Sequence, residues 1–112
     1  MNVSFEGIGH MSVTFHTDIR QAGQVCKVGD QAKVTACADG DAFCGVVESV
    51  RGDTAGVQIH GFAQVSYTGT APKVGYAVLA ANGQGGVKTH TAGRTCLVVQ
   101  VDEGTKTAVI EL

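Results

Sequence analysis

Apolar and polar residues alternate in short bursts along this chain, and glycines separate the bursts. Phe43 to Val50, Val57 to Tyr67 and Thr95 to Asp102 are valine-rich and alternate with a period of two, the signature of half-buried strands. Sixteen glycines fall among the 112 residues, from Gly7 to Gly104. A glycine inside a helix costs about 1 kcal/mol relative to alanine, whereas at turns and bulges it supplies the positive φ that tight connections require. The pattern predicts an all-β domain, a small barrel or sandwich of about 8–10 short antiparallel strands.

Turn chemistry places the reversals. Lys27-Val28-Gly29-Asp30 reads as a turn leading into a strand over Ala32 to Cys37. Ala38-Asp39-Gly40-Asp41 reads as the next, followed by a strand over Ala42 to Val50. Arg51-Gly52-Asp53 then reverses the chain into one long run, Ala55 to Tyr67. Thr68 to Lys73 is a loop around the single proline, Pro72, and Asn82-Gly83 marks another tight turn. In the final hairpin Leu97, Val99 and Val101 run into Glu103-Gly104, and Ala108, Ile110 and Leu112 return.

The beginning of the chain differs. No glycine lies between Gly9 and Gly23, Val3 and Phe5 alternate, and so do Met11, Val13 and Phe15. Residues 1–22 read as an extended N-terminal arm or edge strand, and residues 23–112 as a single β-domain.

Charge narrows the function. Only 16% of residues are charged, against roughly 25% in ordinary soluble domains, so part of the surface is expected to meet another protein. The net charge of −2 is spread without a basic cluster, and there is no tryptophan. Binding to nucleic acid through counterion release or base stacking is not expected. Residues 1–16 lack the basic start and apolar core of a signal peptide, and no run reaches the length of a membrane span. The expected site of synthesis is the cytoplasm.

No chemical constellation emerges from spacing. Cys26, Cys37, Cys44 and Cys96 contain no C-x-x-C pair and read as free, small apolar thiols, with no metal site expected. Asp39 and Asp41 flank a turn glycine, and Glu48 lies on a different part of the next strand, so no facing carboxylate pair is expected. His10, His16, His60 and His90 are dispersed, and a metal site from His10, His16 and Cys26 has no supporting pattern. His60 is expected to look outward. Arg51-Gly52-Asp53 is explained by turn chemistry rather than adhesion, and Gly83-Gln84-Gly85-Gly86 lacks the helix that would make it an anion cradle. No catalytic residue and no cofactor is expected.

The order of motifs carries more. Val28-Gly29-Asp30 comes first, then Asp39-Gly40-Asp41-Ala42-Phe43-Cys44-Gly45-Val46-Val47, then Gly56-Val57-Gln58-Ile59-His60-Gly61-Phe62. With Gly75-Tyr76, Asn82-Gly83 and Val98-Val99-Gln100-Val101-Asp102, this layout resembles the capsid cement, or head decoration, proteins of tailed bacteriophages and prophages. The similarity spans roughly Gly23 to Leu112 and rests on turn-and-strand patterns. It implies a non-enzymatic virion protein, made in the bacterial cytoplasm, that binds the major capsid protein on the shell exterior, docked as a homotrimer.

Two other classes have specific sequence markers. Biotinyl- or lipoyl-type carrier domains share the Val28-Gly29-Asp30 turn, but Lys27, Lys33, Lys73, Lys88 and Lys106 lack the hairpin-tip setting of a modified lysine. A thiol-dependent enzyme would use Cys44 or Cys96 with a histidine.

Overall fold

The structure, a computed structural model, describes residues 9–112. The alternation at Val3 and Phe5 therefore lies outside the described residues. The rest of the chain is all-β, as its glycine spacing predicts: β1 (Met11–Thr17), β2 (Val25–Asp30), β3 (Lys33–Ala36), β4 (Gly45–Arg51), β5 (Thr54–His60), β6 (Phe62–Ser66), β7 (Gly75–Ala81), β8 (Val87–Thr89), β9 (Arg94–Asp102) and β10 (Thr107–Glu111). Among the described residues no helix is long and apolar enough to cross a membrane.

The strands divide into two halves, each continuous in sequence. The first five close into a barrel in the order β1-β3-β2-β4-β5, and the other five form a sheet in the order β6-β10-β9-β7-β8. Met11–Thr17 is paired on both sides, antiparallel to β5 and, through His16↔Lys33 and Thr17↔Val34, parallel to β3. That parallel pairing closes the barrel and is an exception to the antiparallel pattern expected of the strands. The second sheet curls until its outer strands touch, where Tyr67 bridges Val87 and Thr68 N–H donates to the Val87 carbonyl at 3.1 Å.

Gly61 joins the halves. The run Ala55 to Tyr67 reads as one strand, but the chain turns sharply at Gly61, with φ of 94°, and leaves the barrel for the second sheet. A side chain there would come within 2.9 Å of the His10 Cα. Gln58, one of two buried polar residues among the described residues, ties the joint by donating its amide to the carbonyls of His60 (3.1 Å) and Phe62 (2.9 Å). Leu112 N–H closes it from the other side, donating to the Gly61 carbonyl at 2.8 Å.

Bulges shift the side-chain alternation. The turn expected over Lys27 to Asp30 is strand instead: Gly29 is an extra residue between the pairs Val28↔Val34 and Asp30↔Lys33, and the chain reverses at Gln31-Ala32. Val99 is likewise extra between Ile110↔Val98 and Val109↔Gln100. Cys96 and Val98, rather than Leu97 and Val99, therefore face inward, while Val101 still packs on the core. On β10 the alternation is unbroken, and Ala108, Ile110 and Leu112 are buried as expected.

Two cores result. The larger lies inside the second sheet around Leu79, Val87, Val98 and Ile110, and takes Val25, Phe43 and Val46 from the barrel half. The smaller fills the barrel with Ile19, Cys26, Val34, Val47, Ala55 and Val57. Along β2 and β4, consecutive residues serve different cores: Val25 and Val46 the larger, Cys26 and Val47 the smaller.

Candidate functional site

The most chemically distinctive place in the molecule lies at the start of β4, where the barrel meets the second sheet. Cys26 on β2 is completely buried, and its cross-strand partner is Gly45. A side chain at Gly45 would run into the Gln58 carbonyl and reach within 2.9 Å of Val57 Cγ1, so only glycine lets β4 settle this closely on β5. The preceding residue, Cys44, is thereby held against Cys26, with its N–H donating to the Cys26 carbonyl at 2.8 Å.

Cys44 packs against the barrel core that contains Cys26, and the Cys26 S–H donates to the Gly45 carbonyl at 3.7 Å. The neighbouring Cys26 thiol, foremost, holds the Cys44 thiol down at about 7, helped by the N–H groups of Cys44 and Val28 and by the Arg94 charge, against the opposing effect of burial. The neighbouring Cys44, with burial, pushes Cys26 well above the ordinary thiol value. Burial first, and then the Asp41 carboxylate, raise Cys37 to about 11, and burial raises Cys96. All four cysteines are free. Cys26 and Cys96 are buried, whereas Cys37 and Cys44 reach the surface in part.

Arg94 on β9 completes the site from the other half. Its guanidinium stands 5.6 Å from the Phe43 ring centroid, and Nη1 lies 3.4 Å from the carbonyls of both Phe43 and Cys44. One cation thus bridges the halves and sits close to the more acidic thiol. Neither Arg94 nor the Cys26–Cys44 pairing was marked by sequence spacing; Gly45 directly after Cys44 was the available signal.

The carboxylates at the neighbouring turn have structural partners. Asp41 accepts from Lys27 Nζ at 2.6 Å and from Ala38 N–H at 2.9 Å, and Asp39 pairs with Lys88 at 2.8 Å. Lys27 foremost, and then the Ala38 N–H, lower the Asp41 carboxyl below its usual range. Glu48, the extra residue of a bulge on β4, instead reaches His10 and Ser12. That serine–histidine–acid grouping has the components of a hydrolytic triad but not its geometry. Nε2 of His10 meets both Ser12 Oγ (2.9 Å) and Glu48 Oε1 (2.5 Å), whereas a relay needs the acid on the opposite ring nitrogen. It acts as a clasp between the chain before β1 and β4.

The remaining candidates stand apart. His60 is exposed at the end of β5, and His90 Nδ1 is engaged by the Ala92 backbone. His16 is exposed, while Cys26 is buried in the barrel. Among the described residues no group of three or more His, Cys, Asp or Glu side chains is arranged to hold a metal ion. Arg51-Gly52-Asp53 forms the β4–β5 turn. In the Gly83–Gly86 loop, the N–H groups of Gln84 and Gly86 donate to Asn82 Oδ1 at 2.7 and 3.1 Å. The loop walls a groove of about 400 Å³ that also touches Gln21, Gln24 and Cys37.

A second notable surface is the outer face of the second sheet. Strand register lines up Phe62, Glu111, Leu97 and Tyr76 across four strands. Tyr76 is 78% exposed and the adjoining Val74 is 68% exposed. Half-buried Val78, Val99 and Val109 extend the apolar area, and the ionisable groups on these strands' outer side are the acids Glu111 and Asp102. This is the poorly charged surface that the composition implied, now located.

No protein-family model matches this chain, and no curated protein sequence matches it.

Proposed function

We propose that this protein is a non-enzymatic capsid decoration protein: it binds the major shell protein of a tailed-phage head from outside and cements the shell, with three copies grouped at each docking point. The observation that carries this reading is the outer face of the second sheet. Tyr76 and Val74 are large apolar groups left in water at one end of a row that continues through Leu97 and Phe62. Large aromatic and aliphatic groups in such a setting are what a protein partner buries. The resemblance of residues 23–112 to head decoration proteins points the same way, and repetition over a shell turns a modest contact into a firm attachment.

The test is to purify particles from the source strain and count this chain against the major shell protein by quantitative mass spectrometry. Near-stoichiometric copies, lost when Tyr76→Glu and Leu97→Glu are combined in a protein that still folds, are expected. Intact particles without the chain would overturn the proposal. The first eight residues are tested separately by deleting residues 2–8. A longer deletion would remove β1 and open the barrel.

A further inference from the structure

We propose that Cys44 and Cys26 form an oxidation-sensitive pair, in which Cys44 is the attacking thiolate and Cys26 the resolving thiol. The partially exposed member, Cys44, has its N–H 2.8 Å from the Cys26 carbonyl and its own carbonyl 3.4 Å from the Arg94 guanidinium, whose charge favours the thiolate. The other member is wholly buried in the core against which Cys44 packs. This division of labour suits a two-step reaction with a peroxide.

The Cys44 thiolate attacks one oxygen of hydrogen peroxide. An S–O bond forms, the O–O bond breaks, and hydroxide leaves, oxidising Cys44 to a sulfenic acid. The Cys26 sulfur then attacks the Cys44 sulfur; its proton and the departing hydroxyl leave as water, and a disulfide joins β2 to the start of β4. In total two thiols lose two electrons and two protons, and one peroxide becomes two waters. Peroxide is the oxidant throughout. Burial bars Cys26 from the first step, and burial also holds the Cys37 and Cys96 thiols in their protonated form.

The experiment uses the folded full-length protein. After limited hydrogen peroxide, intact mass is expected to fall by two hydrogens per chain, and a non-reducing peptide map to show the Cys26–Cys44 link with Cys37 and Cys96 still free. Cys26→Ser is expected to stop at the sulfenic acid, one oxygen heavier and captured by a 1,3-dione probe. A readout on the unmutated chain is independent of whether that variant folds. Near neutral pH, iodoacetamide should label Cys44 on the order of a hundredfold faster than Cys37, because the larger thiolate population outweighs its lower intrinsic nucleophilicity. Equal labelling of those two cysteines, or a crosslink through Cys37, Cys96 or a second chain, would overturn the proposal. Neither readout involves phage particles, so its failure is distinguishable from failure of the decoration role.

Discussion

The barrel half and the second half each contribute five strands, yet they are built differently. The second sheet surrounds a core with Leu79, Val87, Val98 and Ile110 all fully buried, and borrows Val25, Phe43 and Val46 to complete it. The barrel encloses a smaller set, mostly valine and alanine with Cys26, and leaves Met11 51% and Val28 53% exposed. Closing a sheet on itself removes its edges but also narrows the interior. The half with the completed hydrogen-bond circuit therefore has the thinner core. The larger core lies in the curled sheet, and the thiol pair belongs to the half with the smaller one.

This contrast is open to direct attack. Leu79→Ala, in the larger core, is expected to cost about 2–5 kcal/mol, measured by denaturant unfolding. Val57→Ala, at the centre of the barrel, removes two buried carbon groups and is expected to cost about 2 kcal/mol. A reversed order would show that the barrel interior is the more tightly packed of the two. Gln58→Leu takes both amide hydrogen bonds from the joint, for an expected loss of about 1–2 kcal/mol. Full stability in that variant would mean that the joint is held by Gly61 and Leu112 alone.

The smallest effect is electrostatic and belongs to the turn before β4. Lys27 and Asp41 hold each other charged: the carboxyl is lowered from 3.8 and the ammonium raised from 10.5. The Asp41 contribution is present above its unfolded value and fades as pH falls through the folded one. The Lys27 contribution is present below its unfolded value and fades as pH rises through its folded one. Melting temperatures of the protein and Asp41→Asn are expected to differ by a constant, small amount from about pH 5 to pH 9, and to converge in stronger acid. A gap unchanged at low pH would assign the effect to the Ala38 turn rather than to charge.

Features governed by neighbouring residues were legible in the sequence. The Arg51-Gly52-Asp53 reversal and the inward Ala108, Ile110 and Leu112 follow from a turn glycine and an unbroken alternation. Where a strand gains one residue, the rule of two fails without leaving a mark in composition: Val99 shifts the inward face to Cys96 and Val98, and Gly29 moves the expected turn to Gln31-Ala32. The break at Gly61 was hidden because glycine also occurs within strands, and what demands it here is the approach of His10, fifty residues away in the chain. The thiol site has the same character. Cys26, Cys44 and Arg94 come from three strand regions and two halves, and no local spacing brings them together. The poorly charged surface was foreseen from composition, but its location required the register of four strands.

The single crossing at Gly61 gives the chain the outline of two tandem modules, but Val25, Phe43 and Val46 deny them independence. These side chains leave β2, β4 and the segment before β4 to finish the other half's interior, so unfolding the barrel strips cover from the second core. The molecule is expected to come apart as one cooperative unit, all or none, rather than half by half. On the proposed decoration role, the protein would keep its full grip on a shell until the point at which it releases altogether.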